Sequence, residues 1–226
     1  MKGWDGFVFS FLNSEVMWRY LPKIAEGFLL TVLLAALIIV CGLALGLLLA
    51  VLRAFGIRPL NWVIIFFVDL FRALPPLVII VLLFFGLPAL GLGFTGFQAT
   101  WLALTLVLMA FSEEIFWAGI TAVPPGQWEA SRAMGMRFLP TFFLVILPQA
   151  VRITIPPLTN RTIAITKGTA LGSVVGVAEI LGSAQSAVAF SSNPSPLTLG
   201  AIAYLLLFIP VVMLGRWIET RFAWRR

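Results

Sequence analysis

Glu129-Ala-Ser-Arg-Ala-Met-Gly135, followed after nine intervening residues by Val145-Ile-Leu-Pro148, is a weakly polar, small-residue stretch set between long apolar runs. Its composition favours a helix of about 12–14 Å at 1.5 Å per residue, too short to cross a bilayer. Small side chains at Ala130, Ser131, Ala133 and Gly135 let another protein approach the backbone. Gly135 can take a positive φ and turn the chain sharply. Arg132 and Arg137 add charge for a partner. Pro124-Pro125-Gly126 breaks the chain before this stretch, and Pro140 suits the first turn of a following helix. Phe142 to Leu147 make that helix apolar, and Pro148, Pro156 and Pro157 are expected to interrupt the chain beyond it. On composition alone, an ordinary interfacial helix closing a loop explains the segment as well.

The surrounding chain sets the context. Of 226 residues, 61% are apolar and 11% charged, and the mean hydropathy is +1.07. Soluble domains are about 45–50% apolar and about 25% charged. The composition is that of one all-α polytopic membrane domain, 1–226. Continuous rather than alternating apolar runs exclude an outer-membrane barrel. The net charge is +6, but the basic residues flank apolar runs and form no soluble basic face for nucleic acid. Cys41 is the sole cysteine and there is no histidine. That excludes an intrachain disulfide, zinc or haem ligation, and Ser-His-Asp or Cys-His catalysis, so no catalytic or metal-binding residues are assigned. Asp5 and Glu15 interrupt the start of the chain, which therefore does not read as a cleavable signal peptide.

Five spans are expected, at about 27–52, 62–87, 97–123, 168–190 and 197–215, with a cytoplasmic loop at about 124–166. The second and third spans divide one uncharged run, Ala73 to Ser112, at a glycine-rich turn. Asp69 and Arg72, three apart on a helix, can form a structural ion pair. In the fourth span, Gly172 and Gly176 have the G-x-x-x-G spacing of close helix packing. Pro210 is expected to kink the fifth. Twelve of fifteen basic residues, from Arg53 to Arg226, fall on one side, leaving Lys2, Arg19 and Lys23 on the other. The positive-inside rule then puts the N-terminus out and the C-terminus in. Trp4, Trp18, Trp62, Trp101, Trp217 and Trp224 lie near span ends as interfacial anchors.

Several separated motifs are similar to one family. Gly126-Gln-Trp-Glu-Ala-Ser-Arg-Ala-Met-Gly-Met136, Val145-Ile-Leu-Pro-Gln-Ala-Val-Arg152 and Ile155-Pro-Pro-Leu-Thr-Asn160 resemble the EAA loop region of ABC importer permeases, in the polar amino acid branch. Phe71-Arg-Ala-Leu-Pro-Pro-Leu77, Glu113-Glu114-Ile115 and Lys167-Gly-Thr-Ala-Leu171 match further motifs of that branch, and the likeness runs from about Gly27 to Arg216. The resemblance implies a type I ABC importer fold in the bacterial inner (cytoplasmic) membrane. It implies coupling to an ATPase through Glu129, Ala130, Ser131, Arg132, Gly135 and Pro148. The implied partners are a second permease, identical or paralogous, two cytoplasmic ATPases, a periplasmic or lipid-anchored solute-binding protein, and membrane lipid. No G-x-x-x-x-G-K-[ST] loop is present, so no cofactor is expected on this chain; ATP and Mg belong to the partner ATPase.

Ionisable groups within spans are candidate solute contacts. Glu114, Glu113 and Glu179, with Lys167 and Thr169, are the candidates for the solute pathway, and interhelical ion pairing is the competing reading for the glutamates. The chain departs from the family pattern at Gly168, Ala170 and Trp117, where the branch carries Asp, Ser and Arg. Those departures suggest the scaffold half of a heterodimer or a different solute. The alternatives are a secondary transporter, against which the lack of an evident internal repeat argues, and an ABC permease for a small solute that is not an amino acid.

Overall fold

The computed structural model describes residues 3–222. Lys2, Trp224, Arg225 and Arg226, invoked for topology and anchoring, lie outside the described residues. All regular structure among the described residues is helical. The chain opens with α1 (Trp4–Phe11) and α2 (Ser14–Ala54). With 41 residues, α2 is about 60 Å long, twice the ~30 Å hydrocarbon core. It therefore begins well before the uncharged run at Gly27, through a polar turn whose Glu15 and Arg19 have the i,i+4 spacing that supports a helix.

α3 (Arg58–Ala73) starts ahead of Trp62 because Pro59 suits a first helical turn. It stops at Leu74, which Pro75 forces into an extended conformation, φ −81° and ψ 132°. The helix expected over 62–87 is thus broken in two. α4 (Pro76–Val81) follows, then a π turn (Leu82–Gly86) and a 3-10 turn (Leu87–Leu90). α5 (Gly96–Ala122) has no break.

The loop expected over 124–166 is largely helical. It holds α6 (Pro125–Ala133), α7 (Phe138–Thr141), a π turn (Phe142–Ile146) and α8 (Leu147–Thr166). Pro148 does not interrupt the helix. A proline ring clashes with the carbonyl four residues back in an α-helix, and the wider π turn just upstream relieves that clash, with the Leu147 N–H bonded to the Phe142 carbonyl. Pro88 stands in the same relation to the π turn at Leu82–Gly86, with the Leu87 N–H bonded to Leu82. Pro156 and Pro157 also lie inside α8. Each removes one backbone bond, a loss membrane helices tolerate when neighbours re-satisfy the freed groups.

The fourth expected span is not a continuous helix. A 3-10 helix (Lys167–Val175) ends at Gly176, φ 77°, before α9 (Ile180–Ser191), and α10 (Ser195–Phe222) follows with Pro210 inside it. Gly176 serves as a terminator with open space around it, so the Gly172–Gly176 spacing is not a packing motif. The pair that does bring helices together is Gly42 and Gly46 on α2. A Cβ at Gly42 would stand 2.7 Å from the Leu108 side chain, and one at Gly46 2.5 Å from Ser112. Lipid is as apolar as leucine, so such close approach, rather than burial from water, holds these helices.

The described residues fall in two compact units, one within Met1–Ile38, Pro75–Leu104 and Thr166–Val212, the other within Ile39–Leu74, Thr105–Ile165 and Met213–Arg226. The first has a small core of Ile24, Ile180, Ala184 and Ala203. The second packs Ala50, Phe116, Ile120, Phe142, Ile146 and Ala150 together. Four helical stretches among the described residues are long and apolar enough to cross a membrane: Trp4–Ala54, Gly96–Ala122, Phe138–Ser191 and Ser195–Phe222. Arg58–Ala73 with Pro76–Leu90 makes a fifth if that broken pair counts as one.

Candidate functional site

The short helix expected from Glu129 to Gly135 is α6, which begins earlier because Pro125 occupies its first turn. Its nine residues span about 13 Å. At its C-terminal end, Gly135 N–H donates to the Arg132 carbonyl at 2.9 Å and Met136 N–H to the Ser131 carbonyl at 3.2 Å. With Gly135 at φ 85°, this is a Schellman motif, whose left-handed residue is usually glycine. Glu129, Ala130, Arg132 and Ala133 are exposed, and so is Met134.

The opposite face of α6 is anchored. The Ser131 hydroxyl is buried and donates to the Gln127 carbonyl at 2.8 Å. Trp128 stacks on Phe138 (5.7 Å, 22°) and Phe142 (6.3 Å, 27°), which are parallel to each other. The Gln149 amide donates to the Val145 carbonyl in the π turn at 2.7 Å and to Gln127 Oε1 at 3.4 Å. A groove of about 570 Å³ lies beside α6, lined by Trp117, Trp128 and Phe138 with Glu129 and Arg132 at its rim. Aromatic contacts of this kind add about 0.5–1.5 kcal/mol each beyond burial. Sequence alone does not show the clamp; its one trace there is the aromatic spacing of Phe138 and Phe142, one helical turn apart.

The charged candidates separate sharply. Glu113 is fully buried and receives both of its bonds from Arg53, at 3.0 and 3.3 Å. Arg53 also lies 4.5 Å over the Trp117 ring, so the departure at Trp117 is met by a guanidinium. Glu114 stays 43% exposed and pairs with Arg72 at 3.3 Å. The Asp69–Arg72 pair expected from spacing therefore gives way to a bond between α5 and α3. Both residues of the expected pair sit on one helix, and the interhelical carboxylate is better placed.

Glu179 is also fully buried and caps a helix. Its Oε1 accepts from Gly182 N–H at 2.7 Å, and Tyr204 donates its hydroxyl to Oε2. Thr31 Oγ1 accepts from Ile180 N–H at 3.2 Å, so two otherwise orphaned amides at the start of α9 are satisfied. Thr169 is buried too, and its hydroxyl is spent on the Thr166 carbonyl at 2.9 Å. Lys167 is exposed, with its ammonium 5.9 Å from the Phe208 ring. Glu179→Ala is expected to lower stability by about 1–2 kcal/mol, the cost of a lost cap. An unchanged melting temperature of the purified protein would count against the capping role.

A multi-pass helical membrane protein is the class this fold defines. The chain belongs to the family of binding-protein-dependent transport system inner membrane components, which matches residues 42–224. It is 38% identical to the L-cystine transport system permease protein TcyB of Bacillus subtilis (strain 168), over 77% of this chain and 76% of that one. It is 33% identical to the probable glutamine ABC transporter permease protein GlnM of the same organism, over 93% and 98%, and 31% identical to its arginine transport system permease protein ArtQ, over 89% and 93%. A crystal structure of an amino acid ABC transporter with histidines superposes at TM-score 0.83 and 31% identity, covering 91% of this chain and 96% of that one. The inward-facing MetNI methionine ABC transporter, at 22% identity and TM-score 0.66, shares the fold, over 94% and 100%. The fold is that of type I ABC importer permeases. The chain is a transport subunit and not an enzyme; in this family ATP hydrolysis resides on a separate subunit.

Proposed function

We propose that this chain carries polar amino acids or closely related compounds across the bacterial inner (cytoplasmic) membrane, as one of two permease subunits in an ATP-driven importer. Relatives named for cystine, glutamine and arginine support the solute class. The observation that carries the coupling half is α6 itself, exposed along one face and clamped by Trp128 along the other. A rigid helix transmits a rigid-body push that a loop would absorb. In this reading Glu129, Ala130 and Arg132 meet the cytoplasmic ATPase. Ser131 anchors the buried face of the helix, Gly135 ends it, and Pro148 secures the π turn behind it. Two ATPases and a solute-binding protein complete the assembly, with ATP and Mg held by the ATPases.

Five spans, N-terminus out and C-terminus in, satisfy the charge asymmetry and place α6 on the ATPase side. Of the candidate pathway residues, Glu114 and Lys167 keep accessible charge, whereas Glu113, Glu179 and Thr169 are committed to internal bonds. Gly168, Ala170 and Trp117 favour a partnership with a paralogous permease. Uptake by an importer containing this permease alone, in two copies, would refute that pairing.

The test of coupling is solute-stimulated ATP hydrolysis by the reconstituted importer, with Glu129→Arg and Gly135→Arg. Both are expected to lower stimulated hydrolysis at least tenfold, or to release the ATPase during purification. Gly135→Ala is milder: a side chain in the left-handed region costs about 1–2 kcal/mol, which frays the end of α6. Unchanged stimulation in all three would leave α6 an interfacial helix and end the coupling assignment.

A further inference from the structure

The groove of about 570 Å³ beside α6 has apolar walls: Ala54, Trp117, Ile120, Val123, Trp128 and Phe138. It opens where two stretches able to cross a membrane come to an end, Trp4–Ala54 and Gly96–Ala122, and Pro125 of α6 is in its lining. It therefore lies beyond the hydrocarbon, on the side of the bilayer that carries α6. An apolar recess outside the bilayer, with charge at its rim, has the anatomy of a protein contact.

The walls are held in place by contacts within this unit. Trp128 stacks on Phe138. The Arg53 guanidinium lies 4.5 Å over the Trp117 ring and is itself bonded to the buried Glu113 at 3.0 Å. The Thr121 hydroxyl, also in the lining, donates to the carbonyls of Trp117 and Ala118 at 3.1 and 3.0 Å, so it keeps no donor for a guest. Charge is confined to Glu129 and Arg132. Both are exposed, and neither forms an ion pair among the described residues. Trp117 stands where the family pattern carries arginine, so this apolar wall is a property of this chain and not of the pattern.

We infer that the cytoplasmic ATPase seats an apolar side chain, aromatic or long aliphatic, in this groove, flanked by a basic and an acidic group that meet Glu129 and Arg132. This rests on the coupling reading of α6 and is continuous with the face assigned there to the ATPase. It adds a second, reciprocal contact: α6 bears on the ATPase, and the ATPase reaches back beside α6. Walls already in place save the ordering cost of binding, and a filled pocket inside a polar rim is where binding energy concentrates. An ATPase with a charged side chain at that point leaves it unpaired against Trp117, so the groove also selects which ATPase this permease accepts.

Blocking the groove, rather than enlarging it, is the decisive change. The complete importer carrying Thr121→Cys is reconstituted in proteoliposomes and treated with benzyl methanethiosulfonate, which hangs a ring in the groove through a mixed disulfide; dithiothreitol removes it. The ATPase is stripped and titrated back, and its apparent Kd is read from solute-stimulated hydrolysis. With the ring in place that Kd is expected to rise about tenfold or more, the scale of one lost anchor, and to return on reduction of the same sample. The wild type, whose one thiol is Cys41, is expected to be unchanged by the reagent. Thr121→Trp fills the same space without chemistry and carries the same expectation, should the cysteine variant fail to assemble. The Glu129→Arg importer is titrated beside them. If it loses its ATPase while the blocked groove costs less than about twofold, α6 couples and the groove assignment is overturned; a lipid chain at the membrane surface would then be its occupant. If Glu129→Arg also keeps its ATPase and full stimulation, the coupling reading falls and this assignment with it.

Discussion

Arg53→Ala is expected to destabilise the protein by about 3–5 kcal/mol, the cost of leaving one member of a buried ion pair without its partner. The Glu113 carboxylate is fully buried and takes both of its bonds from Arg53. Removing Arg53 strands that carboxylate inside a helical membrane protein. It also empties the space over the Trp117 ring, where the guanidinium now rests. The double variant Arg53→Met with Glu113→Leu removes both charges at similar volume, and such replacements are often neutral or stabilising. The expected order is therefore a large loss in the single variant and a small one in the double. Thermal midpoints of the detergent-purified complex would show it. If the double variant proved as unstable as Arg53→Ala alone, packing rather than stranded charge would explain the loss.

Trp128→Ala is expected to break the coupling element without removing it. The ring stacks on Phe138 and Phe142 and forms the inner wall of the groove beside α6. Trp-to-Ala changes in full cores cost about 3–5 kcal/mol; Trp128 is half-buried, so about 2 kcal/mol is expected here. The larger consequence is mechanical. Without the clamp, α6 can pivot about Pro125, and force from the ATPase is spent in that pivot. Solute uptake should fall at least tenfold while the ATPase still copurifies and hydrolyses ATP. Trp128→Phe, which keeps a stacking ring, should retain most of the uptake. Equal uptake in the wild type and Trp128→Ala would show that stacking plays no part in force transfer.

The parts of this protein that are legible in sequence are those governed by neighbours along the chain. α5 carries no proline or charge run to break it, and its structural bounds, Gly96–Ala122, lie one residue from those expected. Gly135 announces the end of α6 because a left-handed terminator needs glycine. The illegible parts depend on which helices meet. Arg72 pairs with Glu114 rather than Asp69 because α3 and α5 approach each other, and sequence spacing records only the intrahelical option. Glu179 looks like a free intramembrane acid because nothing local shows that α9 begins at Ile180 and needs a cap there. Pro156 and Pro157 mislead for a different reason. Proline signals a break when water competes for the backbone, and that competition is weak in a membrane helix whose freed groups find other partners.

The π turn at Phe142–Ile146 sets the phase of everything downstream in α8. A π turn holds one residue more than an α turn, so rewinding it into a regular α-helix with every residue kept would pass the surplus residue into the helix. Every side chain from Leu147 onward would then swing by about 100° and move on by about 1.5 Å. Arg161 would leave Phe111, and Thr154 would leave the notch that Gly119 opens for it. Pro148 opposes that rewinding, because in a regular α-helix its ring would strike the Leu144 carbonyl. One surplus residue and the proline behind it thus work as a dial stop, keeping the far end of α8 aimed while the near end is pinned to α6.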